Sequence, residues 1–475
     1  GIISMFKKKQ CIMFKKIEIW ILYLTILLSI LFAIGFGVLV RQEIEGITKK
    51  GNIDISFLSK PAAYIARLPE QFLKSLSESD FIVNDSWMED RYFYQQDGFA
   101  GTPNSEKSYL LLSKYEGGLK EGIVELVDLS NFEILHIWNP DIDAFNDLVE
   151  QVDEFYYLKR DRNDNRNILL HPKLTTDGGL LFQDDTPLRK IDACSNLVFQ
   201  NTHDRFHHSI ETDIEGNIWV PSHVYPPSLP IEKVGMDILE DAGFSDDAIV
   251  KLSADGEVLF EKSVSQIFID NNLEYLLFSV GGFGFKNDPI HLNDIQPVNY
   301  DGEFWKKGDV FLSLRHQSMV FLYRPSTNEI IWKGTGPFFL QHDVDILDDH
   351  RISIFNNNAK HFLEGDIVDG HNEVIIYDFK TKEYSSYLKD SLIENDVITI
   401  TQGRSQVLSN GDLFIEESNY GRTLYFNADG SLRWTHVNRA IDGNVYRVGW
   451  SRILYTNEEI KMVNNFLTNK GTCNE

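Results

Sequence analysis

From Ile19 to Val40 the chain runs 22 residues without a charge, IWILYLTILLSILFAIGFGVLV. Apolar on every side, this stretch predicts a helix. At about 1.5 Å per residue it spans roughly 33 Å, enough for the hydrocarbon core of a membrane. Lys7, Lys8, Lys9, Lys15 and Lys16 precede it, whereas Arg41, Lys49 and Lys50 follow it mixed with Glu43 and Glu45. This asymmetry places residues 1–18 in the cytoplasm, makes 19–40 a transmembrane anchor and puts everything from residue 41 outside. The run is long and no A-x-A site follows, which favours an uncleaved anchor over a signal peptide. The expectation is a single-pass inner-membrane protein whose body lies on the periplasmic, extracytoplasmic side. Residues 41–105 read as a linker or cap, with helical spacing from Pro61 to Ser79 interrupted by Pro69.

From about residue 106 the apolar period drops to two, and short strands alternate with Asp, Asn and Gly turns. One unit recurs at Val124–Trp138, Leu188–Gln200, Val250–Lys262, Phe321–Gly334, Val374–Leu388 and Leu424–Val437. A second apolar hairpin element precedes each copy, as in SYLLLSKY (Ser108–Tyr115), GDVFLSLRHQ (Gly308–Gln317) and LSNGDLFIEE (Leu408–Glu417). Two hairpin types in a fixed order, repeated six times, predict an all-β fold: a six-bladed β-propeller over 106–475.

Composition adds two exclusions. The 45 Lys and Arg against 71 Asp and Glu give a net charge of −26, which disfavours nucleic acid as a partner. Cys11, Cys194 and Cys473 show neither CxxC nor metal-type spacing, excluding a disulfide scaffold and a cysteine zinc site.

The chemistry-bearing residues are histidines. FHHSIETDIEGNIWV and LQHDVDILDDHRISIF align position by position, so His208 and His342 stand at equivalent strand starts, and which of His207 and His208 faces the site is open. His291 occupies the same kind of strand start, with Arg315 and His316 on the next strand. The sixth repeat carries Gly403 at this place, so the fold itself does not require the histidine. His136, His171, His203, His223 and His436 read as satisfied polar residues of the fold. Three histidines can hold zinc, but a permanent cation beside them argues for a tetrahedral oxyanion instead. No metal and no cofactor are expected. Asp343 reads as a turn or channel-rim carboxylate, and Tyr420–Arg422 as an exposed hairpin turn.

The HLND, SLRHQS and QHDVD segments, in that order on a propeller, resemble the bacterial arylsulfate sulfotransferases over roughly residues 106–460. The resemblance implies sulfuryl transfer from an aryl sulfate ester to a phenolic acceptor, without a nucleotide donor. It implies a ping-pong mechanism through a sulfated histidine, which by position is His342. It further implies His291, Arg315 and His208 as catalytic partners, with His207, Asn293 and His316 contacting substrate. The chain departs from the family pattern in its short pre-propeller segment, in the Gln296–Lys307 insertion and in having no cysteine near His342. Oligomeric state stays open, a homodimer included. The alternative reading is a membrane-anchored, non-enzymatic propeller that binds a sulfated glycan or a protein partner. A third is a lyase or hydrolase of an anionic sugar polymer.

Overall fold

A computed structural model describes residues 18–44, 49–50, 53–76, 81–83, 91, 95–150, 152–229, 243–279, 286–362, 365–469 and 473. The lysines ahead of the anchor, Cys11 and Ser77–Ser79 lie outside the described residues. The chain divides into two compact units, Gly1–Glu78 and Ser79–Glu475.

In the first unit the uncharged stretch is helical over Ile19–Ile44, and its side chains, Trp20, Leu27, Leu31 and Phe32 among them, are exposed. A helix apolar on all sides, with none of its described side chains buried, has the length and composition to cross a membrane. A second helix, Ser56–Leu76, contains both Pro61 and Pro69. Pro69 therefore does not interrupt it: one missing N–H removes a single bond from a 21-residue ladder.

The second unit is mostly β, in a propeller-like arrangement of antiparallel sheets. Four sheets are separate. Arg452–Leu454 pairs with Tyr109–Glu116, followed by Glu121–Asp128 and Glu133–Trp138. Leu292–Pro297, Val310–Leu314, Met319–Arg324 and Glu329–Thr335 form the next. Val344–Ile346, Arg351–Asn356, Glu373–Asp378 and Glu383–Tyr387 form another. Arg404–Val407, Leu413–Glu417, Arg422–Phe426 and Leu432–Val437 form the fourth, extended by Gly98–Gly101.

The remaining strands make one eight-stranded sheet rather than the two four-stranded sheets expected from the repeat. The physical cause is the length of Leu197–Phe206. Its first half pairs with Thr186–Ile191, while Arg205 and Phe206 run on to pair with His223 and Ser222 of the following hairpin. A small hairpin, Ala359–Phe362 with Gly365–Val368, is inserted after Arg351–Asn356.

The middle strands are apolar on both faces, as in Val310–Leu314 and Met319–Arg324, and the cores lie between neighbouring sheets. Phe311 and Val320 of one sheet meet Ile352 and Tyr377 of the next, with Trp305 between them. Leu110 and Leu112 meet Phe414 and Trp434 in the same way. The C-terminal end of the unit is tied back to earlier segments. The last strand completes the sheet of the first hairpin, and Val463 and Phe466 of the terminal helix Asn457–Asn469 pack on Tyr109 and Trp138. Cys194 and Cys473 form a disulfide across 279 residues. Spacing had excluded a disulfide framework, but a single bond between distant cysteines has no sequence signature; the fold brings their Cα atoms to 5.4 Å.

Candidate active site

The inner strands begin in a recurring backbone conformation. His171, His208, His291, Leu340, Gln402 and Trp450 all have positive φ, between 49° and 61°, at or within four residues of the first strand of successive hairpins. A left-handed residue turns the chain abruptly into the strand. Three of these six residues are histidines, and the turns direct them toward one another.

His208 is central. Its ring centroid lies 5.1 Å from His291, 6.2 Å from His342 and 6.2 Å from His171. Burial holds His208, His342 and His171 well below the usual histidine range, with further depression from His207, Arg315 and Arg452 respectively. These are imidazoles kept neutral because a charge there would be unhydrated and close to other cations.

The hydrogen bonds around His342 fix its tautomer. Asn357 donates its amide to the carbonyls of Thr399 and Gln402 at 3.1 and 2.7 Å, so its Oδ1 is the acceptor. His342 Nδ1, 2.7 Å from that oxygen, therefore carries the proton. Nε2 carries the lone pair and accepts the backbone N–H of Gln402 at 2.9 Å. Asp343 takes no part in this. It is buried and accepts the N–H of Ser405, and burial together with Asp345 raises its pKa well above the carboxylate range. The expected rim carboxylate is thus an interior one, because it is 3% exposed and packs against the strand start at Ser405.

His291 Nδ1 lies 2.6 Å from Asp288 Oδ2. Burial raises the Asp288 carboxyl, but the His291 hydrogen bond and nearby imidazoles outweigh it and leave the pKa below its ordinary value. An ionised Asp288 makes Nδ1 of His291 the donor and leaves Nε2 for proton transfer.

Arg315 is buried, with one terminal nitrogen 2.8 Å from His316 Nε2 and the other 2.6 Å from Asp366 on the inserted hairpin. His316 also contacts the Asp288 carbonyl through Nδ1 at 2.7 Å, and burial, then His291, pushes its pKa down to about 4. Asn293 is buried; its amide donates to the Gln341 carbonyl at 3.0 Å, while its Oδ1 has no partner among the described residues.

The pair left open in the sequence is thereby separated. His208 faces the cluster, and His207 stands behind it with its Nδ1 2.8 Å from His208 Nδ1. The ring of His207 stacks on His223 at 4.1 Å, next to Asp247. His171 and His223, read as ordinary fold residues, join these groups; for His171 the signal was present, since it too opens an inner strand. Of the remaining histidines, His136 packs on Trp138 and Phe466 and His203 pairs with Glu261. Asn357 and Asp366 carried no signal, because each acts on a histidine or arginine supplied by another segment; Asp288 stands only three residues before His291 and was missed. Tyr420 and Arg422, expected in an exposed turn, are buried, and Arg422 pairs with Glu417.

Comparison with known proteins gives one family. The model described as Arylsulfotransferase (ASST) matches residues 171–439. No curated protein matches. Among solved structures, a protein of unknown function from Bacteroides caccae is 12% identical, with a TM-score of 0.41 over 70% of this chain and 93% of its own. A streptogramin B lyase is 11% identical, with a TM-score of 0.36 over 75% and 96%. Hydrazine synthase of Kuenenia stuttgartiensis is 9% identical, with a TM-score of 0.36 over 65% and 71%.

Proposed function

The chain belongs to the arylsulfotransferase family, and from that premise we propose that it moves a sulfuryl group from an aryl sulfate ester to a phenol through a sulfated His342, with no nucleotide donor. The observation that carries this reading is the neutral His342 with its proton held on Nδ1 by Asn357 and its lone pair on Nε2. In the first half-reaction the Nε2–S bond forms and the S–O(aryl) bond breaks. The departing phenolate takes a proton from Nε2 of a protonated His291, whose Nδ1 stays on Asp288. In the second, the acceptor phenol gives its proton back to His291 as its oxygen attacks sulfur and the Nε2–S bond breaks. Splitting one transfer into two displacements replaces a difficult reaction with two easier ones.

Two supports stand beside the nucleophile. Arg315 supplies a planar cation for the sulfuryl oxygens, joined by a donor from His208, while His316 accepts from Arg315 and holds it in place. Gln402, whose N–H now rests on Nε2, can pass that hydrogen bond to a sulfuryl oxygen once Nε2 has bonded to sulfur. Asn293 and His207 are placed at the edge of this arrangement. We read the eight-stranded sheet as two blades joined by the long strand Leu197–Phe206, so that the propeller has six, in keeping with six left-handed strand entries. The 106–475 body on an anchor at 19–40 is taken to lie on the periplasmic side of the inner membrane. The Cys194–Cys473 disulfide supports an oxidising compartment. A homodimer is compatible with this reading and plays no part in it.

The test is intact mass. Incubation with an aryl sulfate and no acceptor should add one SO₃ to the wild type, and a phenol should remove it. An adduct that persists in His342→Ala overturns the assignment of the nucleophile.

A further inference from the structure

Behind His208 the structure holds a second cluster that the transfer reaction does not use: His207, His223 and Asp247. His223 closes the strand Ile218–His223 and lies directly opposite Asp247, which opens Asp247–Leu252. His207 follows the strand Leu197–Phe206, its N–H bonded to the Pro221 carbonyl at 3.1 Å. Three adjacent backbone segments therefore fix the three side chains.

Their polar atoms converge without satisfying one another. His207 Nε2 stands 3.2 Å and His223 Nδ1 3.4 Å from Asp247 Oδ1. None of these contacts has good hydrogen-bond geometry, and among the described residues His207 Nε2, His223 Nδ1 and both Asp247 oxygens are buried without a partner. Asp247 is 0% exposed. Four orphaned polar atoms in one place cost several times about 1–3 kcal/mol each, so a missing common partner is the physical expectation. Other groups of similar composition each hold a side-chain hydrogen bond, and in two of them one carboxylate oxygen, of Asp288 and of Glu261, is left over. His291 bonds Asp288 at 2.6 Å, His203 bonds Glu261 at 3.1 Å, and His350 bonds Asp349 at 2.5 Å.

We propose that His207 Nε2, His223 Nδ1 and the Asp247 carboxylate bind a divalent transition-metal ion of the zinc type. Tetrahedral ligands about 2.1 Å from zinc stand about 3.4 Å apart, close to the 3.2 and 3.4 Å between the two imidazoles and Asp247 Oδ1. Two imidazoles exclude calcium and magnesium, which take oxygen ligands. Three protein ligands leave one position for water or a solute, and the side chain of His223, 18% exposed, opens a route to it. The outer contact is also in place. Ligation through Nε2 puts the His207 proton on Nδ1, aimed at His208 Nδ1 2.8 Å away, as metal-bound histidines commonly donate their second N–H. The ion would thereby fix the tautomer of His208. The site stands on these three side chains alone and does not depend on the sulfuryl-transfer reading.

The test uses the full chain in detergent, stripped with a chelator and titrated with zinc or cobalt. We expect about one zinc per chain by elemental analysis, and visible ligand-field bands with cobalt. Asp247→Asn and His223→Gln should weaken zinc binding by about 100-fold, while His350→Gln leaves it unchanged. A wild type that binds no zinc above background overturns the proposal whatever the variants do. So does unaltered binding in both Asp247→Asn and His223→Gln. If Asp247→Asn does not fold, the cobalt spectrum of the wild type and its loss in His223→Gln decide the matter.

Discussion

His342 and His207 are both buried histidines beside a strand start, and they differ in how their nitrogens are employed. Both nitrogens of His342 have partners, Asn357 on Nδ1 and the Gln402 N–H on Nε2. His207 is partnered on Nδ1 only, and its Nε2 is buried beside two equally unpartnered side chains. A buried imidazole with assigned partners has one tautomer and a defined lone pair, which is what a nucleophile needs. One with an orphaned nitrogen among orphaned ligands is arranged for something that is added. The same residue type thus serves two chemistries, and the neighbours decide which.

The comparison breaks most directly at His342. His342→Ala should fold, as Gly403 at the corresponding place of the last sheet shows the architecture allows, and should lose on the order of 10⁴-fold or more in phenol-dependent turnover of an aryl sulfate. Turnover within tenfold of wild type would remove His342 from the mechanism. Arg315→Lys comes next, with an expected loss of about 10²–10³-fold, since lysine keeps the charge but not the fork. Equal kcat/KM in the two proteins would show that Arg315 serves only its ion pair with Asp366.

Asn357→Leu tests the tautomer rather than the nucleophile. Transfer should fall about 10–100-fold, while Asn357→Asp, which still accepts from Nδ1, retains most of it. If both variants fall equally, Asn357 acts through its bonds to Thr399 and Gln402 instead. A smaller effect is expected from pH. Burial and Arg315 lower the His342 pKa well below 6.5, so the imidazole remains in its reactive neutral form as pH falls through that value. The rate of sulfation in a single turnover should therefore show no loss as pH falls from 7.5 to 6, since the acid His291 only gains protons over that range, and a rate half lost by pH 6.5 contradicts this. Cys194→Ser should change turnover least, by less than about twofold. It should lower stability by about 2–4 kcal/mol, measured by denaturant unfolding. A large loss of activity would mean that the chain end reaches the histidines.

The sequence by itself determined the apolar helix, the strand positions and the equivalence of the inner strand starts, because these depend on local period and on turn residues that recur in register. It also marked His208, His291, Arg315 and His342, since a repeat reveals where a side chain exceeds what the repeat needs. Only the tertiary structure decided what those residues touch. Asn357 reaches His342 across 15 positions, Gln402 across 60 and Asp366 reaches Arg315 across 51, none at a spacing with a periodic meaning. The same holds for Cys194 with Cys473, and for His207, His223 and Asp247, which three neighbouring segments bring together by strand pairing. Periodicity is set by each residue's place along its own strand, whereas proton placement and ligand sets are set by distances between strands. Those distances exist only once the sheets have closed around the axis.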